Sequence, residues 1–212
     1  MTDDAMVYAQ YSQGFKSGGF DMRGNAAAFP GTVDGYKPET VDNYEVGLKG
    51  ELMDGRVNTS LALFRYDQEN RALNDLASGF ACDGWYCSIA AGKVRSQGLD
   101  AEISGEVLTG LQLFAGYTYN TTKFLDDPEN EGKVFSTWTP KHMLRVWSDY
   151  QFSGDWNRVS TGLGFTTQSH TLGYEHTYDV PGYTVWSARA GYQLTPEIDL
   201  ALNANNLFDK RY

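Results

Sequence analysis

Apolar and polar residues alternate along most of this chain with a period of two. Between Gly182 and Leu194 the positions Trp186, Ala188, Ala190, Tyr192 and Leu194 are apolar, and Ser187, Arg189, Gly191 and Gln193 lie between them. After Thr195-Pro196 the pattern resumes, with Ile198, Leu200, Leu202 and Ala204 on one face and Asp199, Asn203 and Asn205 on the other. Period two predicts a strand, because successive side chains of a strand point to opposite faces of its sheet. A strand of about ten residues with one wholly apolar face is long enough to cross a bilayer when tilted. The arginine, aspartate and asparagines opposite suit a wet lumen better than a protein core.

About nine such segments can be marked on the pattern. They are Met6–Phe15, Thr40–Leu52, Arg56–Leu73, Lys93–Val107, Leu111–Lys123, His142–Phe152, Val159–Thr167, Gly182–Leu194 and Ile198–Leu207, with the alternation blurred at Leu61-Ala62-Leu63-Phe64. The links between them alternate in length. Lys16–Glu39, Asn74–Ala91, Phe124–Pro140 and Gln168–Gly182 are long, far beyond the usual loop. Asp54-Gly55, a strong hairpin signal, and Thr109-Gly110, Ser153–Asp155 and Thr195-Pro196 are short. Strict alternation puts every long loop at one end, as in an outer-membrane barrel with tight periplasmic turns and extended extracellular loops. A soluble, tyrosine-rich β-sandwich has no reason for that asymmetry. The fold class expected is therefore all-β: a transmembrane antiparallel β-barrel, or part of one.

Composition adjusts this picture only at its margins. Mean hydropathy is negative, and no apolar run approaches the roughly 18 residues that a spanning helix needs. Helical membrane proteins are thereby excluded, but a barrel is not, since alternating strands average to a mildly polar sequence. A net charge of −10 without any basic run argues against nucleic acid as a partner. The start, Met1-Thr2-Asp3-Asp4, has neither the positive nor the apolar region of a signal peptide. For a barrel reading, the expectation is then the later part of a longer precursor.

Particular stretches carry a resemblance. NANNLFDKRY at Asn203–Tyr212, KPETVDNYEVGLKGELMDGRVNTSLALFRYDQENRAL at Lys37–Leu73 and VRSQGLDAEISGEVLTGLQLFAGYTYN at Val94–Asn120 resemble TonB-dependent outer-membrane receptors. So do YAQYSQGFKSGGF at Tyr8–Phe20 and WTPKHMLRVWSDYQF at Trp138–Phe152, so that the likeness covers essentially the whole chain. The cysteine-bearing loop followed by AAGKVRSQG at Ala90–Gly98 looks most like the ferric-siderophore branch. The resemblance implies the C-terminal portion, residues 1–212, of a barrel of about 22 strands. The plug domain, the segment that engages TonB and a final strand are expected to lie outside it. It further implies a monomeric barrel in the outer membrane of a Gram-negative bacterium, in contact with outer-membrane lipid. A ferric siderophore would be the transported ligand, with no intrinsic cofactor and with TonB acting through the plug.

Cys82 and Cys87 are the only cysteines. An even pair at this spacing in an extracellular loop is expected to close a small disulfide ring. Metal binding is the rival, though two thiols without a nearby histidine make a poor zinc site. Trp85, Tyr86, Tyr174 and Tyr178 stand in the same long loops. Such rings could hold a flattish iron chelate by stacking and phenol hydrogen bonds; an interfacial aromatic belt is their other use, for which Trp138 is the best candidate. His170 and His176 are read as solvated loop residues, and His142 as structural or interfacial.

Glu45, Lys49, Asp100, Glu102, Arg145, Asp149, Arg189 and Asn203 are expected on the lumenal face. Val46, Leu99, Ala101, Tyr117, Leu163, Trp186, Leu200 and Leu202 are expected toward lipid. No catalytic constellation stands out. A small outer-membrane barrel enzyme, a passive porin, and a TonB-dependent importer of haem, cobalamin or glycan remain as alternatives.

Overall fold

The computed structural model describes residues 4–23, 27, 35–75, 82, 85, 87–90, 92–127, 130–173 and 178–212. Nine strands form one antiparallel sheet: β1 (Ala5–Lys16), β2 (Glu39–Leu52), β3 (Val57–Glu69), β6 (Lys93–Leu108), β7 (Leu111–Asp126), β8 (His142–Gln151), β9 (Val159–Gln168), β12 (Tyr183–Thr195) and β13 (Ile198–Asn205). They lie side by side in chain order, so each pairs with its sequence neighbours and β1 and β13 form the two edges. Two small hairpins rise from the long links: β4 (Ala72–Asp75) with β5 (Cys87–Ala90), and β10 (Thr171–Leu172) with β11 (Asp179–Val180). The nine segments marked on the sequence pattern correspond to the nine sheet strands.

Four details differ from the pattern. The third strand ends at Glu69 and not near Leu73, because Asn70 takes a left-handed conformation (φ 55°) and turns the chain into the β4–β5 hairpin. The seventh strand runs on to Asp126, into a stretch that the polar composition marks as loop. The link from β8 to β9 is longer than a tight turn and contains a 3₁₀ turn at Gly154–Trp156. At Asp54-Gly55 both residues have positive φ, 58° and 80°, and Arg56 N–H donates to the Met53 carbonyl at 3.3 Å, but Met53 is also left-handed (φ 55°), so the loop closing the Leu52↔Val57 pair has four residues where the sequence predicts two.

The register separates the faces without ambiguity. Ladder partners such as Glu45↔Phe64, Ala62↔Asp100, Gly116↔Arg145 and Arg189↔Asn203 lie on one face, together with Lys49, Glu102 and Asp149. Val46↔Leu63↔Leu99, Ala101↔Tyr117, Leu163↔Ala188 and Leu200↔Tyr192 lie on the other, with Trp186 and Leu202. Every residue assigned to a face from the pattern falls on the face expected of it. The blurred run resolves in the same way: Leu61 and Leu63 join the apolar face, while Ala62 and Phe64 join the polar one.

A single layer has no second sheet to cover it. Among the described residues the buried apolar side chains are only Val57, Cys82, Val94 and Pro140, while Leu163 is 49% exposed and Leu200 53%. A soluble sandwich would bury one face of each sheet; this sheet buries neither. The backbone is nevertheless satisfied in every interior strand, which is bonded on both sides, and that is the condition for crossing lipid.

On the polar face, aromatic rings lie over glycines of the neighbouring strand. A Cβ at Gly47 would approach the Tyr8 ring to 2.5 Å, and one at Gly162 or Gly164 would approach the Trp147 ring to 2.5 Å. Glycine at these places lets a large ring lie against the wall. The lumen is thereby left open for whatever occupies it.

Candidate functional site

The polar face near the periplasmic turns is a wall of fixed charge. Arg189 donates to Asp149 at 3.3 Å and to Ser160 at 3.2 Å, joining three strands of one end of the sheet. At the other end Tyr8 donates to Glu45 at 2.6 Å, and the Lys49 ammonium stands 5.4 Å from the centre of the Tyr8 ring. These groups bond to one another across strands and form no nucleophile–base arrangement. They shape and solvate a surface.

At the long-loop end the character of this face changes. Phe64 and Tyr66 of β3 tilt against each other at 5.5 Å. Phe124, near the end of β7, meets Phe135 edge to face at 5.5 Å, and the Arg71 guanidinium sits 4.5 Å from the Phe135 ring centre and 5.9 Å from that of Phe124. Backbone bonds hold this group in place, from Phe124 N–H to the Lys133 carbonyl (3.0 Å) and from Gly132 N–H to the Phe124 carbonyl (2.9 Å). Phe124 pairs with the buried Val94, which fixes its height on the wall. A cation above two aromatic faces offers a planar, anionic or aromatic guest both charge and stacking area.

Of the site residues expected from sequence, Cys82, Trp85, Cys87 and Tyr178 are described, and they belong to the two links that carry the small hairpins. Cys82 and Trp85 exchange backbone hydrogen bonds, each at 3.0 Å; Cys82 is fully buried and Trp85 is 53% exposed. Cys87 begins β5, with Asp75 as its ladder partner. Tyr178 is exposed, and its ring covers Gly173, whose N–H donates to the Tyr178 carbonyl at 2.7 Å. A bond from Leu172 N–H to the Thr137 carbonyl (2.9 Å) ties that hairpin to the loop carrying Phe135. Tyr86, Tyr174 and His176 lie outside the described residues. Trp85 and Tyr178 thus stand on separate hairpins.

Pattern reading missed Arg71, Phe124 and Phe135. The alternation of β7, carried one residue pair further, puts Phe124 on the polar face and could have flagged it. Arg71 and Phe135 belong to different loops, and only the fold brings them together. His142 lies on the apolar face against Tyr117 and Tyr119, with its Nδ1 2.8 Å from the Tyr117 hydroxyl, as a structural or interfacial residue would. No cluster of metal-ligating side chains occurs among the described residues.

Residues 1–207 match the family model described as TonB dependent receptor-like, beta-barrel. The chain belongs to this family of TonB-dependent receptors. It is 42% identical over its whole length to the ferric-pyoverdine M114 receptor PbuA of Pseudomonas sp. (strain M114), of which it covers 25%. It is also similar to the solved ferripyoverdine receptor of the Pseudomonas aeruginosa outer membrane, at 31% identity and a TM-score of 0.79 over 99% of this chain and 28% of that one. The ferric-catecholate import receptor Fiu of Escherichia coli K12 matches at 26% identity and a TM-score of 0.75, over 100% of this chain and 30% of that one. The chain spans about a quarter of the length of the curated receptors it matches. TonB-dependent receptors are transport receptors of the Gram-negative outer membrane, and the open nine-stranded sheet is a fragment of their barrel.

Proposed function

We propose that this chain is the C-terminal portion of a receptor that takes up ferric siderophores across the outer membrane, driven by TonB, and that it has no catalytic role. The observation that carries this reading is the likeness to ferric-pyoverdine receptors, which runs through the wall strands and the loops alike. The chain's own part is wall, rim and loop hairpins. Its apolar face meets outer-membrane lipid in a monomeric barrel, and its polar face meets the plug of the receptor and the ligand.

Arg71, Phe124 and Phe135, with Trp85 and Tyr178 on the hairpins and with Tyr86 and Tyr174 beside them in sequence, form the part of the vestibule supplied here. The cation–π geometry at Arg71 and the exposure of Trp85 and Tyr178 support this assignment. A Cys82–Cys87 disulfide closes the tip of the β4–β5 hairpin; the burial of Cys82 and the ladder that begins at Cys87 support it. The deciding experiment supplies single ferric chelates to a strain lacking the full-length receptor, with and without its gene restored. Gene-dependent, TonB-dependent growth on a pyoverdine-type chelate is expected. Growth on haem, cobalamin or glycan alone would assign the receptor to another ligand.

A further inference from the structure

The apolar face changes sharply toward the long-loop end. One row of ladder partners is Ala9, Val46, Leu63 and Leu99; the next on the same face is Tyr11, Tyr44 and Arg65; the one beyond is Asp42, Asp67, Arg95 and Lys123. Paired tyrosines above an apolar band mark the membrane interface. The charged row therefore lies at the depth of the lipid head groups, on the outside of the barrel.

Its geometry is built around one carboxylate. Asp67 is only 6% exposed, and its Oδ2 accepts from Arg65 Nε (3.1 Å) and Nη2 (2.6 Å). Arg95 donates to the same carboxylate through Nε (2.6 Å, to Oδ1) and Nη2 (3.2 Å, to Oδ2). Both guanidiniums are thus oriented while parts of them stay open to the outside, at 45% and 27% side-chain exposure. Lys123 is exposed and stands directly opposite Arg95 in the ladder. Like charges in that position repel. The row's other carboxylate, Asp42, faces Asp67 in the ladder and accepts from the Tyr11 hydroxyl (2.7 Å) and the Gln13 amide (2.8 Å), so three cations stand against two carboxylates here, in a chain whose net charge is −10.

We propose that Arg65, Arg95 and Lys123 form a site on the outer wall for the phosphorylated head group of an outer-leaflet lipid, with Asp67 as the residue that positions both arginines. Guanidinium edges suit phosphate oxygens in paired N–H···O contacts, and an ammonium adds a point charge. A bound phosphate relieves the repulsion between Arg95 and Lys123 and extends the lipid contact already made by the apolar band. The site is separate from the vestibule and rests on the outer-membrane location alone.

The test uses the full-length receptor, purified in detergent and titrated with bisphosphorylated lipid A, with its dephosphorylated form and with inorganic phosphate, bound lipid being read by native mass spectrometry. Arg95→Gln with Lys123→Gln should weaken binding of bisphosphorylated lipid A at least ~tenfold. The dephosphorylated lipid should bind wild type no better than the phosphorylated lipid binds the variant, and inorganic phosphate should not displace it. Lys123→Gln alone, which leaves the Asp67 cluster intact, should lose part of the same affinity and decides the matter if the double variant does not fold. Wild-type affinity in the variants, equal binding of the dephosphorylated lipid, or displacement by free phosphate would each overturn the proposal. Ferric-siderophore binding should stay unchanged throughout, which separates this site from the transport reading.

Discussion

The Tyr8 ring lies over Gly47 of the adjacent strand, so close that a Cβ on Gly47 would come within 2.5 Å of two ring atoms. The same tyrosine is held from above by its hydrogen bond to Glu45 at 2.6 Å. Gly47→Ala must therefore move the ring or the strand, and overpacking of this kind costs about 1–3 kcal/mol. Gly116→Ala, on the same face but with no neighbour nearer than 3.9 Å, is the control and should be near neutral. Urea unfolding of the full-length receptor from lipid vesicles compares the two, and equal effects would contradict the packing argument.

Leu163 lies mid-strand on the apolar face between Ser148 and Ala188. Replacing it with arginine places a charge in lipid and should cost about 2–4 kcal/mol at mid-depth. Thr166→Glu, three residues along on the polar face and opposite Arg145, also introduces a charge and should change stability far less. The fraction of receptor that reaches the heat-modifiable folded form in the outer membrane provides the measurement. Equal losses at both positions would mean that the apolar face does not meet lipid.

Arg71 and Phe135 are expected to act as one unit in ligand capture. Phe135→Ala removes stacking area and the ring that orients the guanidinium, and should weaken affinity for a ferric siderophore by about 1–2 kcal/mol. Arg71→Gln should weaken it similarly, and the double variant by less than the sum, with a coupling of about 0.5–1 kcal/mol. Fluorescence quenching by the iron chelate measures all three. Strict additivity would show two independent contacts.

Trp85→Ala combined with Tyr86→Ala should lower ligand affinity and leave barrel assembly intact. Reduction of the Cys82–Cys87 bridge should lower affinity less, since it only frees a loop whose pre-ordering helps binding. Thiol titration before and after reduction reports the bridge itself. Unchanged affinity in the double variant would make this hairpin a surface feature.

The wall was legible in the sequence because its rule is local. Whether Leu163 faces one side and Arg189 the other follows from period two and needs no knowledge of partners, once a turn such as Asp54-Gly55 sets the register. The rim follows no such rule. Arg71 meets Phe135 because two loops more than sixty residues apart converge, and no periodicity connects them. The β4–β5 hairpin was hidden for a related reason: the alternation does not mark the end of β3 at Glu69, and only the left-handed Asn70 announces the break. The charged outer row lay in plain sight as Arg65, Asp67 and Arg95, but strand alternation alone assigns faces and says nothing of height.

Glu69 and Lys93 are ladder partners at the junction of β3 and β6, and their side chains form an ion pair there. The two ends of the intervening segment are therefore held one strand spacing apart, about 4.8 Å, whatever the chain does between them. Under that clamp, lengthening the insert costs only the slow logarithm of loop closure, about 0.6 kcal/mol for each doubling. Natural variation can thus rewrite the cysteine hairpin, in length and in chemistry, while the scaffold beneath keeps its register. New chelates can be met by exchanging such inserts as cassettes, with no need to refold the wall.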